Sequence, residues 1–209
     1  SIFDNDITLS QKTPSILNSE MDNNLSFSFI DYFSDINIVS FNFAKNFTEI
    51  GSLSLGFISA DYGEFIQTSE NGNQISDFTA SDQILTFGYS RKIHEKLNLG
   101  FNVNFLNSLY EHYKANAITS NISTTYYNFD KNISATLLFK NIGRKLIGYT
   151  SNEEQIPFET QLGFSKNLKY LPFKYSIVYS NLNKFDMSND YSLNSFTNND
   201  TGEIEFTDE

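Results

Sequence analysis

The chain has 209 residues, a formal charge of −11, no cysteine and no tryptophan. The absence of cysteine excludes disulfide scaffolds, cysteine-ligated zinc and thiol catalysis, and the acidic balance argues against a nucleic-acid partner. Only 39% of residues are apolar, yet 16% are aromatic, 21 of them Phe. That combination suits a fold needing one apolar residue in two, which is antiparallel β structure.

In chain order, residues 1–23 show no periodic pattern. The opening decapeptide carries two Asp and lacks the basic, then apolar, layout of a signal peptide. Alternation starts at Leu25, Phe27 and Phe29, with Ser26 and Ser28 between, and returns at Val39, Phe41 and Phe43. Leu53, Leu55 and Phe57 follow, then Leu85, Phe87 and Tyr89. The clearest segment is N-L-G-F-N-V-N-F at 98–105, where Leu99, Phe101, Val103 and Phe105 alternate with Asn98, Gly100, Asn102 and Asn104. Further segments hold Ile118, Ile122 and Tyr126; Ile133, Ala135, Leu137 and Phe139; Phe158, Leu162 and Phe164; and Phe173, Tyr175, Ile177 and Tyr179. The period is two in each, so about nine strands are predicted and no amphipathic helix.

Connections between these segments alternate in length. Short ones fall at 46–50, 94–97, 128–131 and 167–171; long ones are predicted at 61–82, 108–115 and 143–157. An up-and-down meander would place the short turns at one rim and the long loops at the other, as outer-membrane barrels do. Basic residues (Lys45, Arg91, Lys92, Lys96, Lys131, Lys166, Lys169, Lys174) gather at the short turns, while Asp61, Glu64, Glu70, Asp77 and Asp82 mark the first long connection. The alternation has two physical readings: an ordinary sheet with its apolar face in a core, or a barrel with that face in lipid. The loop asymmetry favours the barrel, with Leu99, Phe101, Val103 and Phe105 facing lipid.

The stretch M-D-N-N-L-S-F-S-F-I-D-Y-F-S-D-I-N at 21–37 resembles the first strand and loop of the PorQ-type outer-membrane proteins associated with type IX secretion. A-D-Y-G-E-F (60–65), F-T-A-S-D (78–82), L-G-F-N-V-N-F (99–105) and T-Y-Y-N-F-D-K-N (125–132) continue the likeness. F-K-N-I-G (139–143), Ile156-Pro157-Phe158 and Q-L-G-F-S-K (161–166) are similar to a signature of the wider PorV-like and FadL-like barrels. The likeness covers most of residues 13–190; Thr13-Pro14-Ser15 stands where those families tend to have Asn-Pro-Ala.

The resemblance implies an all-β, antiparallel up-and-down transmembrane β-barrel of FadL-like type. Such barrels have about 14 strands, an even count, so the chain is expected to be truncated. Residues 1–23 would be a luminal plug, 24–183 barrel strands and 184–209 an acidic extracellular loop. The implied role is a non-enzymatic anchor in the Gram-negative outer membrane. Its partners would be outer-membrane lipid, a PorZ-like surface protein, the sortase and the PorV-like shuttle of the attachment complex. Asp61, Tyr62, Glu64 and Phe65 are the partner-binding candidates, because aromatics supply contact area and acids steer encounter.

Two other functions compete: FadL-like transport of a hydrophobic solute, and a soluble or adhesin β domain. A transporter needs an apolar path through the lumen, whereas the inward residues read as Asn, Ser, Gly and Thr. No nucleotide-binding, zinc-protease or nucleophile-elbow motif occurs, so neither catalytic residue, metal nor cofactor is expected. His94 and His112 read as surface residues, Asp31 and Asp35 as solvated charges, and Glu159 and Gln161 as partners of a plug or of water.

Overall fold

The computed structural model describes residues 5–148, 156–183, 194–197 and 204–207. Nine strands form one antiparallel sheet in chain order: β1 (Leu25–Tyr32), β2 (Ile36–Phe47), β3 (Gly51–Thr68), β4 (Gln74–His94), β5 (Leu97–Tyr110), β6 (Tyr113–Asn128), β7 (Ile133–Ile147), β8 (Glu159–Asn167) and β9 (Lys174–Tyr179). Each strand pairs only with its chain neighbours, which makes the sheet an up-and-down meander whose edges are β1 and β9. A separate pair joins β10 (Asn194–Thr197) to β11 (Ile204–Thr207), so the predicted terminal loop contains paired strands.

Two predicted loops are instead strand. β3 and β4 run 18 and 21 residues, and they zip up the predicted 61–82 loop as far as a turn at 69–73. Ser69 and Gly72 close that turn through a 2.8 Å backbone hydrogen bond. β5 and β6 likewise stay paired through Ser108↔Ala115 to Tyr110↔Tyr113. The polar composition of these stretches reads as loop. Cross-strand partners such as Phe65↔Phe78 and Ile66↔Asp77 nevertheless keep the ladder continuous.

Register puts like residues in rows. One row runs Phe27–Phe41–Phe57–Leu85–Phe105–Ile118 across six strands, and its neighbour runs Leu25–Phe43–Leu55–Phe87–Val103. The opposite face holds Asn42–Gly56–Thr86–Asn104–Thr119 and Ser52–Ser90–Gly100–Ser123. Burial is the reverse of an ordinary sheet. Phe27 is 67% exposed and Phe105 45%, while Asn102 and Thr125 are 0% exposed. Above the polar rows the same face carries Ile58–Ile84–Leu106–Ala117.

The polar face is covered by the N-terminal segment, where the sequence offers no periodicity. It contains α1 (Ile7–Ser10), capped by Asp6 through Thr8 N–H at 2.9 Å, and two 3₁₀ turns at Pro14–Ile16 and Ser19–Met21. Gly100 explains the fit. A Cβ there would lie 2.6 Å from the Pro14 carbonyl oxygen, so only glycine lets that backbone rest on β5. The cluster of Ile7, Leu17, Met21 and Ala44 is the hydrophobic core among the described residues, and three of the four belong to this segment.

Candidate functional site

Three regions carry side chains capable of recognition: the outward apolar face, the polar face under the N-terminal segment, and the distal half of the β3–β4 hairpin. On the outward face, Leu99, Phe101 and Phe105 are exposed and Val103 is half-buried. Aromatic rings on this face meet across strands: Phe87 and Phe105 edge-on at 6.3 Å, and Tyr89 and Phe101 tilted at 5.4 Å. The apolar positions of β5 extend from Leu97 to Phe105. That is about 26 Å along the strand at ~3.3 Å per residue, or roughly 20 Å of height at a tilt of ~40°. The band is bordered by Ser59, Gln83 and Asn107 on one side and by Lys45 and Arg91 on the other. An apolar surface this continuous needs a cover. No helix among the described residues is long and apolar enough to cross a membrane, which says nothing of strands.

On the polar face, a hydrogen-bond network runs beside the Ile7–Leu17–Met21–Ala44 cluster. Ser15 N–H donates to Ser123 Oγ at 2.8 Å, and Ser15 Oγ pairs with Thr125 Oγ1 at 2.7 Å. The Gln11 amide reaches Asn42, and Asn102 Nδ2 donates to the Gln11 carbonyl. Asn102 Oδ1 accepts from Asn121 N–H at 3.1 Å, and Asn121 Oδ1 accepts from Asn141 N–H at 3.0 Å. Asn104 Nδ2 donates to Thr119 Oγ1 at 3.1 Å, and Thr86 Oγ1 to Asn104 Oδ1 at 3.0 Å. Asn suits such a site because its amide donates and accepts at once. The chain leaves the face through a clamp: Asp22 accepts from Asn46 N–H at 2.8 Å and pairs with Lys45 at 3.3 Å. The Asn46 bond chiefly holds the Asp22 carboxyl below its ordinary value, with Lys45 adding to it against partial desolvation.

Asp61, Tyr62, Glu64 and Phe65 lie in strand β3, at a bulge rather than in a loop. The register passes from Asp61↔Ser81 to Glu64↔Thr79, setting Tyr62 and Gly63 opposite the single residue Ala80. Gly63 takes φ +79°, and its N–H donates to Asp61 Oδ1 at 3.0 Å. The bulge turns Tyr62 so that its hydroxyl donates to Asp82 Oδ2 at 2.7 Å; Ser108 also donates to Asp82. Phe65 stacks on Phe78 at 5.3 Å, and Phe78 meets the Tyr110 ring edge-on at 5.3 Å. The fold thus brings Tyr62 to Asp82, and Phe65 to Phe78 with Tyr110 beyond it, while Glu64 stays exposed and engages none of them in a described hydrogen bond. Spacing in sequence could not reveal Asp82, Phe78 or Tyr110 as neighbours, since only the β3–β4 and β4–β5 registers supply them.

Glu159, Gln161 and Lys140 form a small network, with Lys140 Nζ 3.1 Å from Glu159 and Gln161 Nε2 donating to Glu159 at 2.6 Å. Lys140 was not legible as its partner before β7 and β8 were paired. Among the described residues no group of three or more His, Asp and Glu could hold a metal ion. His94 and His112 are both exposed.

These features define a class: an all-β protein whose meander sheet buries polar side chains and displays apolar ones. Comparison with family models, with curated proteins and with solved structures gives no match.

Proposed function

We propose that the chain forms the wall of an outer-membrane β-barrel and serves as a non-enzymatic anchor for the type IX secretion attachment complex of a Gram-negative cell. The carrying observation is the reversed burial, with Phe and Leu rows outward and Asn, Ser and Thr rows inward under a covering segment. In water that outward face would cost roughly 25 cal/mol for each Å² left exposed. Acyl chains remove the cost, and a band roughly 20 Å tall is close to the ~25 Å of known barrels. In the bilayer the edges of β1 and β9 must be paired, because unpaired backbone groups there cost several kcal/mol each; the reading therefore requires a closed FadL-like wall. The sequence motifs set out above supply the secretion assignment.

In this reading the outer part of the β3–β4 hairpin stands clear of the membrane. Spanning takes about 9–11 residues per strand, and β3 has 18. Tyr62 and Phe65, set by the bulge, with Asp61 and Glu64 beside them, form the docking surface for a PorZ-like surface protein, near the sortase and the PorV-like shuttle. Membrane insertion is tested by extraction. The protein should need detergent and should migrate faster on gels when unheated; release into buffer without detergent overturns the barrel. Docking is tested by Tyr62→Ala with Phe65→Ala, which should weaken pull-down of the surface protein while the unheated gel shift persists. Retention at wild-type level removes these residues from the interface.

Transport of a hydrophobic solute has one supporting observation, the inward Ile58–Ile84–Leu106–Ala117 row. Below it a solute would meet Asn104, Asn102 and Ser123, which would cost it its apolar surroundings. Uptake of a fatty acid into liposomes carrying the protein would favour this reading over the anchor.

A further inference from the structure

At the short-turn end of the polar face, a cleft of about 660 Å³ lies between the sheet and the N-terminal segment. Its floor holds Ser90 and Asn98, 2% and 4% exposed, and both present a buried oxygen, Ser90 Oγ and Asn98 Oδ1, with no hydrogen-bond partner. A third such oxygen, Asn167 Oδ1, lies apart from the cleft at the end of β8, while Ser15, Thr86, Asn104, Thr119, Ser123 and Thr125 on this face bond one another or the N-terminal segment. Leaving two buried oxygens unsatisfied in one cleft is costly unless something occupies it.

The walls narrow what that occupant is. Lys92 lies over the Tyr127 ring at 5.9 Å, and the Phe129 ring meets Tyr127 edge-on at 4.8 Å, so one side is aromatic. Glu20 and Glu49 line the same cleft as Arg91 and Lys92, so the two signs balance there. A small anion would meet two carboxylates and a metal cation would meet an ammonium group. A neutral molecule rich in hydroxyls fits both signs. Hydroxyls donate to Asn98 Oδ1, exchange donor and acceptor roles with Ser90, and bond carboxylate and ammonium alike. The apolar C–H face of a sugar ring matches an aromatic wall. The volume lies within the range of small-ligand sites, about 300–1,000 Å³.

We infer that this cleft is a binding site for a neutral saccharide, one or two rings long, held by Ser90 and Asn98 beneath and by the Tyr127–Phe129 wall. The inference does not depend on the secretion role, because the cleft is built from the sheet and its own N-terminal segment.

The test uses the full chain, purified without any sugar-headed detergent, and saturation-transfer NMR with D-glucose, maltose and inorganic phosphate as separate probes. Glucose or maltose should bind saturably. Tighter binding of maltose would show that the cleft takes the end of a glycan; equal binding would show a free monosaccharide site. Ser90→Ala and Asn98→Ala should each weaken binding by about tenfold, the loss typical of one buried hydrogen bond. Both should leave the thermal midpoint unchanged or raise it, since each removes an unsatisfied group. Phe129→Ala, on an exposed turn, should weaken binding without touching the floor. The proposal is overturned if neither sugar saturates, if phosphate competes with them, or if all three variants bind as the wild type does.

Discussion

Replacing Asn102 by Leu tests the reversed interior directly. Asn102 is wholly buried, so on an ordinary hydrophobicity argument leucine, which shares its branching at Cγ, should stabilise. The structure predicts the opposite. The substitution strands the Asn121 N–H, 3.1 Å from Asn102 Oδ1, and the Gln11 carbonyl that Asn102 Nδ2 serves. Each orphaned buried group costs about 1–3 kcal/mol, or roughly 4 kcal/mol for the two at mid-range. Transfer of the leucine side chain from water offsets about 2 kcal/mol of that, leaving a net loss of about 2 kcal/mol. With a denaturant slope of about 2 kcal/mol/M in urea, the midpoint should fall by about 1 M. The chain lacks tryptophan but has 12 tyrosines, so unfolding is best followed by circular dichroism, with tyrosine fluorescence as the second probe. A midpoint that stays put or rises would mean that Asn102 faces water, and the assignment of the polar face as the interior would be lost.

Phe105→Arg places a charge in the outward apolar band and should cost about 2–4 kcal/mol in a bilayer, visible as reduced folding into liposomes; undiminished yield contradicts a lipid-facing row. Gly100→Val sets a side chain against the Pro14 backbone, so the N-terminal segment should lift and become sensitive to protease, whereas wild-type protection would show that the segment rests elsewhere. The Asp22 carboxyl titrates below its ordinary value. Its contribution is therefore present above the unfolded value and lost as pH falls through the lowered folded one. Amide exchange in residues 18–24 should quicken only in strong acid, and Asp22→Asn should give the fast rates at neutral pH. Exchange that is insensitive to both would exclude the clamp. Tyr62→Phe removes a hydrogen bond to the Asp82 carboxylate and should cost about 1.5–3 kcal/mol of hairpin stability, read as faster exchange at Ala80 and Ser81; unchanged rates would show the bond to be dispensable.

The strands were legible because period two survives translation into structure. All nine segments, Leu25 to Tyr179, alternate in the sequence and pair in the sheet. The ends of the strands were not legible. Residues 61–82 read as a loop from their Asp, Ser and Gly content, but cross-strand partners many residues away keep them paired, and no local window contains that partner. The same holds for Asp82 beside Tyr62, and for Lys140 beside Glu159.

The N-terminal segment marks the deepest division. Alternation alone established two faces, one of Phe and Leu, the other of Asn and Ser, and left undecided which was the inside. That choice depends on what covers each face. Only the tertiary structure brings Gln11, Ser15 and Leu17 onto the polar rows, with Gly100 opening the space for their backbone. A pattern in sequence is symmetric between the two sides of a sheet, and contact with a segment some hundred residues away breaks that symmetry.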